Sequence, residues 1–204
     1  ARTAANLGNP AMMLYTGLDC HENGNFEDAF TWFTKAAALG QSESIAELAD
    51  YYYHFYDAKE LRTAIPYDPV KAIGLYRRAA TKNFSDAGYT ALQAAFGYIF
   101  HIGHLPLDWG LIADLTHMAA TKERFMFALP YIGYMRIHGL GVTKNIRFAV
   151  QSLLRVLDEE QRAFEEENRI LFYDITRALT RVALGYAYEK GYVSGKPDLD
   201  QAVS

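Results

Sequence analysis

The chain has 204 residues, half of them hydrophobic and 22% charged, a composition that builds a packed core and excludes a disordered chain. Its net charge of −4 is the wrong sign for a nucleic-acid partner, which calls for Lys and Arg clustered along one face. No apolar run approaches the roughly 18 residues that cross a bilayer, and the one cysteine, Cys20, has no intrachain partner for a disulfide.

Residues 1–8 end in "AANLG" (Ala4–Gly8), a near copy of "AAALG" at Ala36–Gly40, and so read as the end of a repeat already under way. The last residues, "KPDLDQAVS", read as a helix just starting, so the chain is expected to be a piece of a longer protein. Between these ends the sequence divides into about five units of a single helical-repeat domain, near 9–40, 41–83, 84–122, 123–167 and 168–204. The first carries "GLDCHENG" from Gly17, then Ala29 followed by Ala36-Ala37. The second has Ala49 in the glycine position of "ADYYYHF", a lengthened loop at Asp57–Pro69, then Ala72 with Ala79-Ala80. The third writes "GYIFHIG" (Gly97–Gly103), then Ile112 with Ala119-Ala120. The fourth writes "GYMRIHG" (Gly133–Gly139), then Ala149 with Val156-Leu157. Its stripe Ile146, Val150, Leu153, Leu157 has helical spacing, and the acidic stretch Asp158–Asn168 lengthens the joint that follows. The fifth has a stripe Leu171, Ile175, Val182, Tyr186, writes "GYAYEKG" (Gly185–Gly191) and places Ala202 in the Ala29 position.

The equivalent positions Ala29, Ala72, Ile112, Ala149 and Ala202 stand 43, 40, 37 and 53 residues apart, close to the ~34 to 45 residues of helical-hairpin repeats. The glycine phrase falls on the first helix of each hairpin, A, and the alanine phrase on the second, B. A glycine inside helix A costs about 1 kcal/mol of helix propensity relative to Ala, so a close approach of a neighbouring helix must compensate it. The glycine that ends the phrase marks a left-handed helix terminus. No stretch alternates apolar and polar residues long enough to demand a sheet, so an all-α fold is expected.

The pattern Leu184-Gly185-x-x-Tyr188-x-x-Gly191 before Ala202, together with Gly133…Gly139-Leu-Gly141-Val142…Ala149, resembles the Sel1-like repeat family, a branch of the tetratricopeptide-like helical repeats. The resemblance implies a right-handed superhelix (α-solenoid) of stacked antiparallel hairpins that binds other proteins and catalyses no reaction. It also implies which helix-A residues look into the concavity: the residue after the small one, and the residue a turn later. Carried across by position, these are Leu18 and His21; Asp50, Tyr53 and His54; Tyr98 and His101; Tyr134 and His138; Tyr186 and Lys190. Each set shares a helix face, and Tyr and His offer apolar area with a polar tip. The competing reading of each tyrosine is packing between neighbouring helices, and the run Tyr51–Tyr56 cannot lie on one face.

The sharpest enzymatic alternative is a metal-dependent hydrolase built on His101, His104, Asp114 and His117. The preferred reading carries no cofactor and no metal. It is a scaffold or adaptor, bacterial by resemblance, whose partner is another protein or peptide, with no nucleic acid and no membrane span. The narrower alternative is an immunity or inhibitor protein that neutralises one toxin or enzyme. Periplasm, cell envelope and cytoplasm all stay open as locations.

Overall fold

The computed structural model describes residues 8–54, 59–82, 87–100, 102–121, 125–165, 172–193 and 195, with the side chains of all of these except 125, 126, 159–165 and 172–176. Among the described residues there are ten α-helices and no strand. They are α1 (Pro10–Glu22), α2 (Phe26–Ala38), α3 (Ser42–Tyr53), α4 (Lys59–Ala64), α5 (Pro69–Ala80), α6 (Ala87–Ile99), α7 (Trp109–Ala120), α8 (Phe125–His138), α9 (Ile146–Glu165) and α10 (Phe172–Glu189). The A helices are α1, α3, α6, α8 and α10, and the B helices are α2, α5, α7 and α9. The chain divides into two compact units, residues 1–107 and 108–204, with the division inside the third hairpin.

In the first unit α1 packs on α2, α2 on α3, α3 on α5 and α5 on α6. In the second, α8 packs on α7, α9 and α10, and α9 on α10. The helix starts are written locally. Asn9, Asp68, Asp108 and Asn145 each accept the backbone N–H three residues on, at 3.0–3.1 Å, which satisfies one of the orphan donors of a first turn. Asp68, Asp108 and Asn145 stand four residues before Ala72, Ile112 and Ala149, so the B-helix cap repeats with the hairpin. The ends are equally regular: Gly24, Gly103, Gly139 and Gly191, which close the A phrases, all have φ between 62° and 75°. In the second hairpin His54 takes this left-handed place at φ 53°.

The small residues lie in the packing layer. Ala29, Ala36, Ala49, Ala72, Ala79, Ala119 and Ala149 have no exposed area. A Cβ added to Gly17 would sit 2.6 Å from Phe33, one on Gly97 2.2 Å from Ile73, and one on Gly133 2.8 Å from Leu153. What occupies the missing side chain's space is thus a large apolar side chain of a neighbouring B helix, itself fully buried. Knob-in-notch packing of this kind repays the propensity lost to an interior glycine.

Three expectations are corrected. The stretch expected as a long loop after the second A helix contains α4, which packs on α2 and buries Leu61, with Ile65 buried just beyond. The joint expected from Asp158 is helical as far as Glu165, because α9 runs on without a break. In the fifth unit Val182 is 63% exposed, and the buried face runs instead through Thr180, Ala183, Leu184 and Ala187. The small Ala183 and Ala187 set that rotation, joining Ile137, Ala149, Val150 and Leu153 in one core cluster. Leu171 lies outside the described residues.

Candidate partner-binding surface

The expected contact residues fall into two groups, one in each compact unit. In the second unit, the packing of α10 on α8 brings together side chains far apart in sequence. Tyr134 and His138, one turn apart on α8, have ring centroids 4.6 Å apart, and His138 lies 4.7 Å from Tyr186 of α10. The series continues at both ends. Trp109, at the start of α7, lies 6.3 Å from Tyr134, and Tyr192 lies 6.3 Å from Tyr186. The Lys190 ammonium sits 5.5 Å from the Tyr186 ring centre and is paired with Glu189 at 2.8 Å. Tyr134 and Tyr186 are half-buried against the core cluster, while His138 and Lys190 are exposed. The strip is therefore aromatic, anchored on one side and open on the other.

Its electrostatics follow from that position. Desolvation among the rings, and then the charge of Lys144, hold the His138 imidazole below its ordinary value. The hydrogen bond and charge of Glu189 hold Lys190 above its own. At neutral pH His138 is thus an uncharged ring with polar nitrogens, suited to the flat contacts of a protein surface. Gly141 braces the strip. At φ 65° its α-carbon lies so close to the start of α7 that an added Cβ would meet the Trp109 carbonyl oxygen at 2.1 Å.

In the first unit the set serves partly inside the fold. His21 Nδ1 lies 2.8 Å from the buried Tyr51 hydroxyl, which donates when the nitrogen is bare and accepts when it is protonated. Burial, opposed by Glu22, lowers the His21 pKa, and burial pushes the Tyr51 hydroxyl up. Asp50 accepts the hydroxyl of Tyr76, a side chain with 1% exposure that burial, then the Asp50 charge, keeps firmly protonated. His54 donates through Nε2 to the Ile65 carbonyl at 2.8 Å, so it ties the helix end to the inserted segment. Its ring lies 5.4 Å from Tyr67, which is 58% exposed and also 6.3 Å from Tyr53. Leu18 is half-buried. Tyr98, expected on the contact face, is 8% exposed, and its hydroxyl accepts from Arg77 Nη1 at 3.2 Å. It is a packing residue with a bonded tip. His101, which the metal set included, lies outside the described residues.

Sequence reasoning missed Trp109, Tyr67 and Tyr192. None stands in the glycine phrase; each sits at or beyond a helix end, where the repeat register does not single it out. The described residues contain no group of three or more His, Cys, Asp and Glu placed to hold a metal ion.

Against known proteins, no curated protein matches the chain. Among solved structures it is similar to a Sel1 repeat protein from Oxalobacter formigenes, at 23% identity and a TM-score of 0.64, covering 97% of this chain and 71% of that one. It is also similar to a protective antigen present in uropathogenic Escherichia coli strains and displaying an SLR fold, at 19% identity and a TM-score of 0.64. That match covers 99% of this chain and 38% of the antigen. These likenesses show the fold, an α-solenoid of stacked helix hairpins. The Sel1 repeat model matches residues 1–41, 42–84, 131–151 and 176–204, which together exceed half the chain, and the chain therefore belongs to the Sel1 repeat family.

Proposed function

We propose that this chain is a non-enzymatic scaffold that binds a partner protein on the exposed face of its A helices. Sel1 repeat proteins generally mediate protein–protein interactions, and the family is typically non-catalytic. Among the described residues no helix is long and apolar enough to cross a membrane. The observation that carries the reading is the aromatic strip Trp109, Tyr134, His138, Tyr186 and Tyr192. Five rings from three helices and a helix end form one series with an open side. A core needs no such open series, whereas interfaces are enriched in Tyr, Trp and Arg anchors half-seated on a rigid support.

Site-specific photo-crosslinking in lysate of the native host tests the proposal. A benzophenone side chain at position 138 or 190 should trap one saturable protein species, and the same group at Leu154, exposed on helix B, should not. Adducts at position 154 with none at 138 or 190 would place binding on the opposite surface and remove the reading.

A further inference from the structure

The aromatic strip of the second unit leaves open more than its ring faces. We infer that it docks a proline-rich segment of the partner in the polyproline II conformation, with prolyl rings on the aromatic faces and backbone carbonyls on the polar tips. The inference rests on the strip being the partner-binding surface.

Tyrosines that pack the first unit use their hydroxyls inside the fold. Tyr51 is bonded to His21, Tyr76 to Asp50, Tyr98 to Arg77 and Tyr52 to Lys71. Along the strip the tips are open instead. Among the described residues the Trp109 indole N–H and the hydroxyls of Tyr134, Tyr186 and Tyr192 have no hydrogen-bond partner. The rings that carry them are nevertheless held, Tyr134 and Tyr186 by the core cluster and the Trp109 backbone by the close approach of Gly141. Rings fixed in this way, with only two side-chain torsions each, lose little freedom when a partner covers them. His138 between them adds a ring that is neutral at neutral pH and has one N–H to donate.

Open donors at the margins of ring faces select among partners. A helix bonds its own backbone carbonyls internally and would leave the tips unpaired. A β-strand brings N–H donors that need a sheet edge, and the described residues contain no strand to provide one. A polyproline II segment makes no internal hydrogen bond, and each of its prolines has a carbonyl but no N–H. It is acceptor-rich where the strip is donor-rich, and its prolyl rings are compact apolar surfaces of the kind that aromatic-lined grooves take. Being extended before it binds, it also loses less entropy on docking. A glycan would lay hydroxyl groups on the same rings, but those call for carboxylate or amide acceptors beside them. Glu189, one turn beyond Tyr186, is already held by Lys190.

The test measures fluorescence anisotropy of the whole chain with three labelled probes: decaproline, a Ser-Gly repeat of equal length, and cellohexaose. Decaproline extends about 31 Å in this conformation, longer than the ring-to-ring steps of 6.3, 4.6, 4.7 and 6.3 Å laid end to end. It should bind with a Kd below roughly 1 mM, and the other two probes should not bind. Tyr134→Phe/Tyr186→Phe keeps both ring faces, removes two donors and should weaken decaproline about tenfold. Tyr186→Ala should weaken it at least as much, whereas Tyr67→Ala, which removes an exposed tyrosine of the first unit, should change nothing. Melting curves of the variants separate lost binding from lost folding. No saturable binding of decaproline up to roughly 1 mM, or equal binding of the Ser-Gly repeat, overturns the inference. So does undiminished affinity in the double phenylalanine variant, and so does binding of cellohexaose in place of decaproline. The crosslinking at positions 138 and 190 captures the native partner whatever its chemistry, so the partner-binding reading can survive when this one fails.

Discussion

Replacing Gly133 by alanine should change sign with the residue opposite it. In the native protein the new methyl carbon would lie 2.8 Å from Leu153 Cδ2 and Cγ and 3.2 Å from Cδ1, so Leu153 must retreat by at least 0.6 Å (3.4 − 2.8) to ordinary contact. Leu153 is fully buried in the core cluster with Ala149, Ala183 and Leu184, so little room receives it. Overpacking of this kind costs about 1–3 kcal/mol, against a helix-propensity gain of about 1 kcal/mol. Gly133→Ala should therefore lose up to about 2 kcal/mol. Leu153→Ala alone should lose about 2–5 kcal/mol by leaving a cavity. In that background the added methyl enters vacated space. It then contributes propensity and burial together, so Gly133→Ala should stabilise by about 1–2 kcal/mol. The assay is urea unfolding of the four proteins in a Trp32→Phe background. The two tryptophans fall one in each compact unit, so Trp109 fluorescence then reports the second unit alone. Additivity within about 0.5 kcal/mol would show that Gly133 and Leu153 do not compete for the same space, and the explanation of the glycine phrase would be lost.

Three further outcomes follow from the same reasoning. Gly74 lies inside α5 with nothing within 4 Å of an added Cβ, so Gly74→Ala should raise stability by about 0.5–1 kcal/mol, read as a higher denaturation midpoint. The Tyr131 hydroxyl is buried with no hydrogen-bond partner among the described residues, so Tyr131→Phe should stabilise by about 1 kcal/mol; a loss in the thermal melt would show the hydroxyl to be bonded. Burial lowers the His21 pKa below 6.5, so the unfolded state binds the proton first as pH falls. The stability from this group is present above 6.5 and is lost between 6.5 and its lower folded value; His21→Gln should flatten the melting temperature across that interval.

The stack was legible because its marks are chemical necessities repeated at one spacing. Gly97 and Gly133 could be read as close approaches, and Gly103 and Gly139 as left-handed ends, since few other residues fill either role. The B-helix caps Asp68, Asp108 and Asn145 were equally visible and went unread, although each lies four residues before a recognised position. The fate of individual tyrosines was not legible. Tyr98 and Tyr134 follow a glycine in the same phrase, yet one is 8% exposed and bonded to Arg77 while the other joins an open strip. That difference depends on which side chains neighbouring helices bring, which a local phrase does not contain. His54 reads as a contact position because it lies one turn after Asp50; that it also takes the left-handed helix end and clasps the inserted segment through Ile65 depends on residues outside the phrase. The Val182 register failed for a related reason. Size outweighs hydropathy at a tight crossing, so alanines and not the valine turn inward.

One helix carries two kinds of information in adjacent residues. Successive helical positions point about 100° apart, so when Gly133 faces Leu153 the next residue, Tyr134, is turned out of that contact. The packing position is nearly constant through the chain: Gly17, Ala49, Gly97, Gly133 and Gly185. The position after it runs through Leu18, Asp50, Tyr98, Tyr134 and Tyr186. A fold that demanded a particular residue there would not accept an aliphatic side chain, a carboxylate and a phenol in turn. At Tyr134 and Tyr186 that position is half-buried in an aromatic strip, whereas Asp50 and Tyr98 turn to Tyr76 and Arg77 within the fold. The glycine position fixes the packing, and the residue beside it is left free to vary with what neighbouring helices bring.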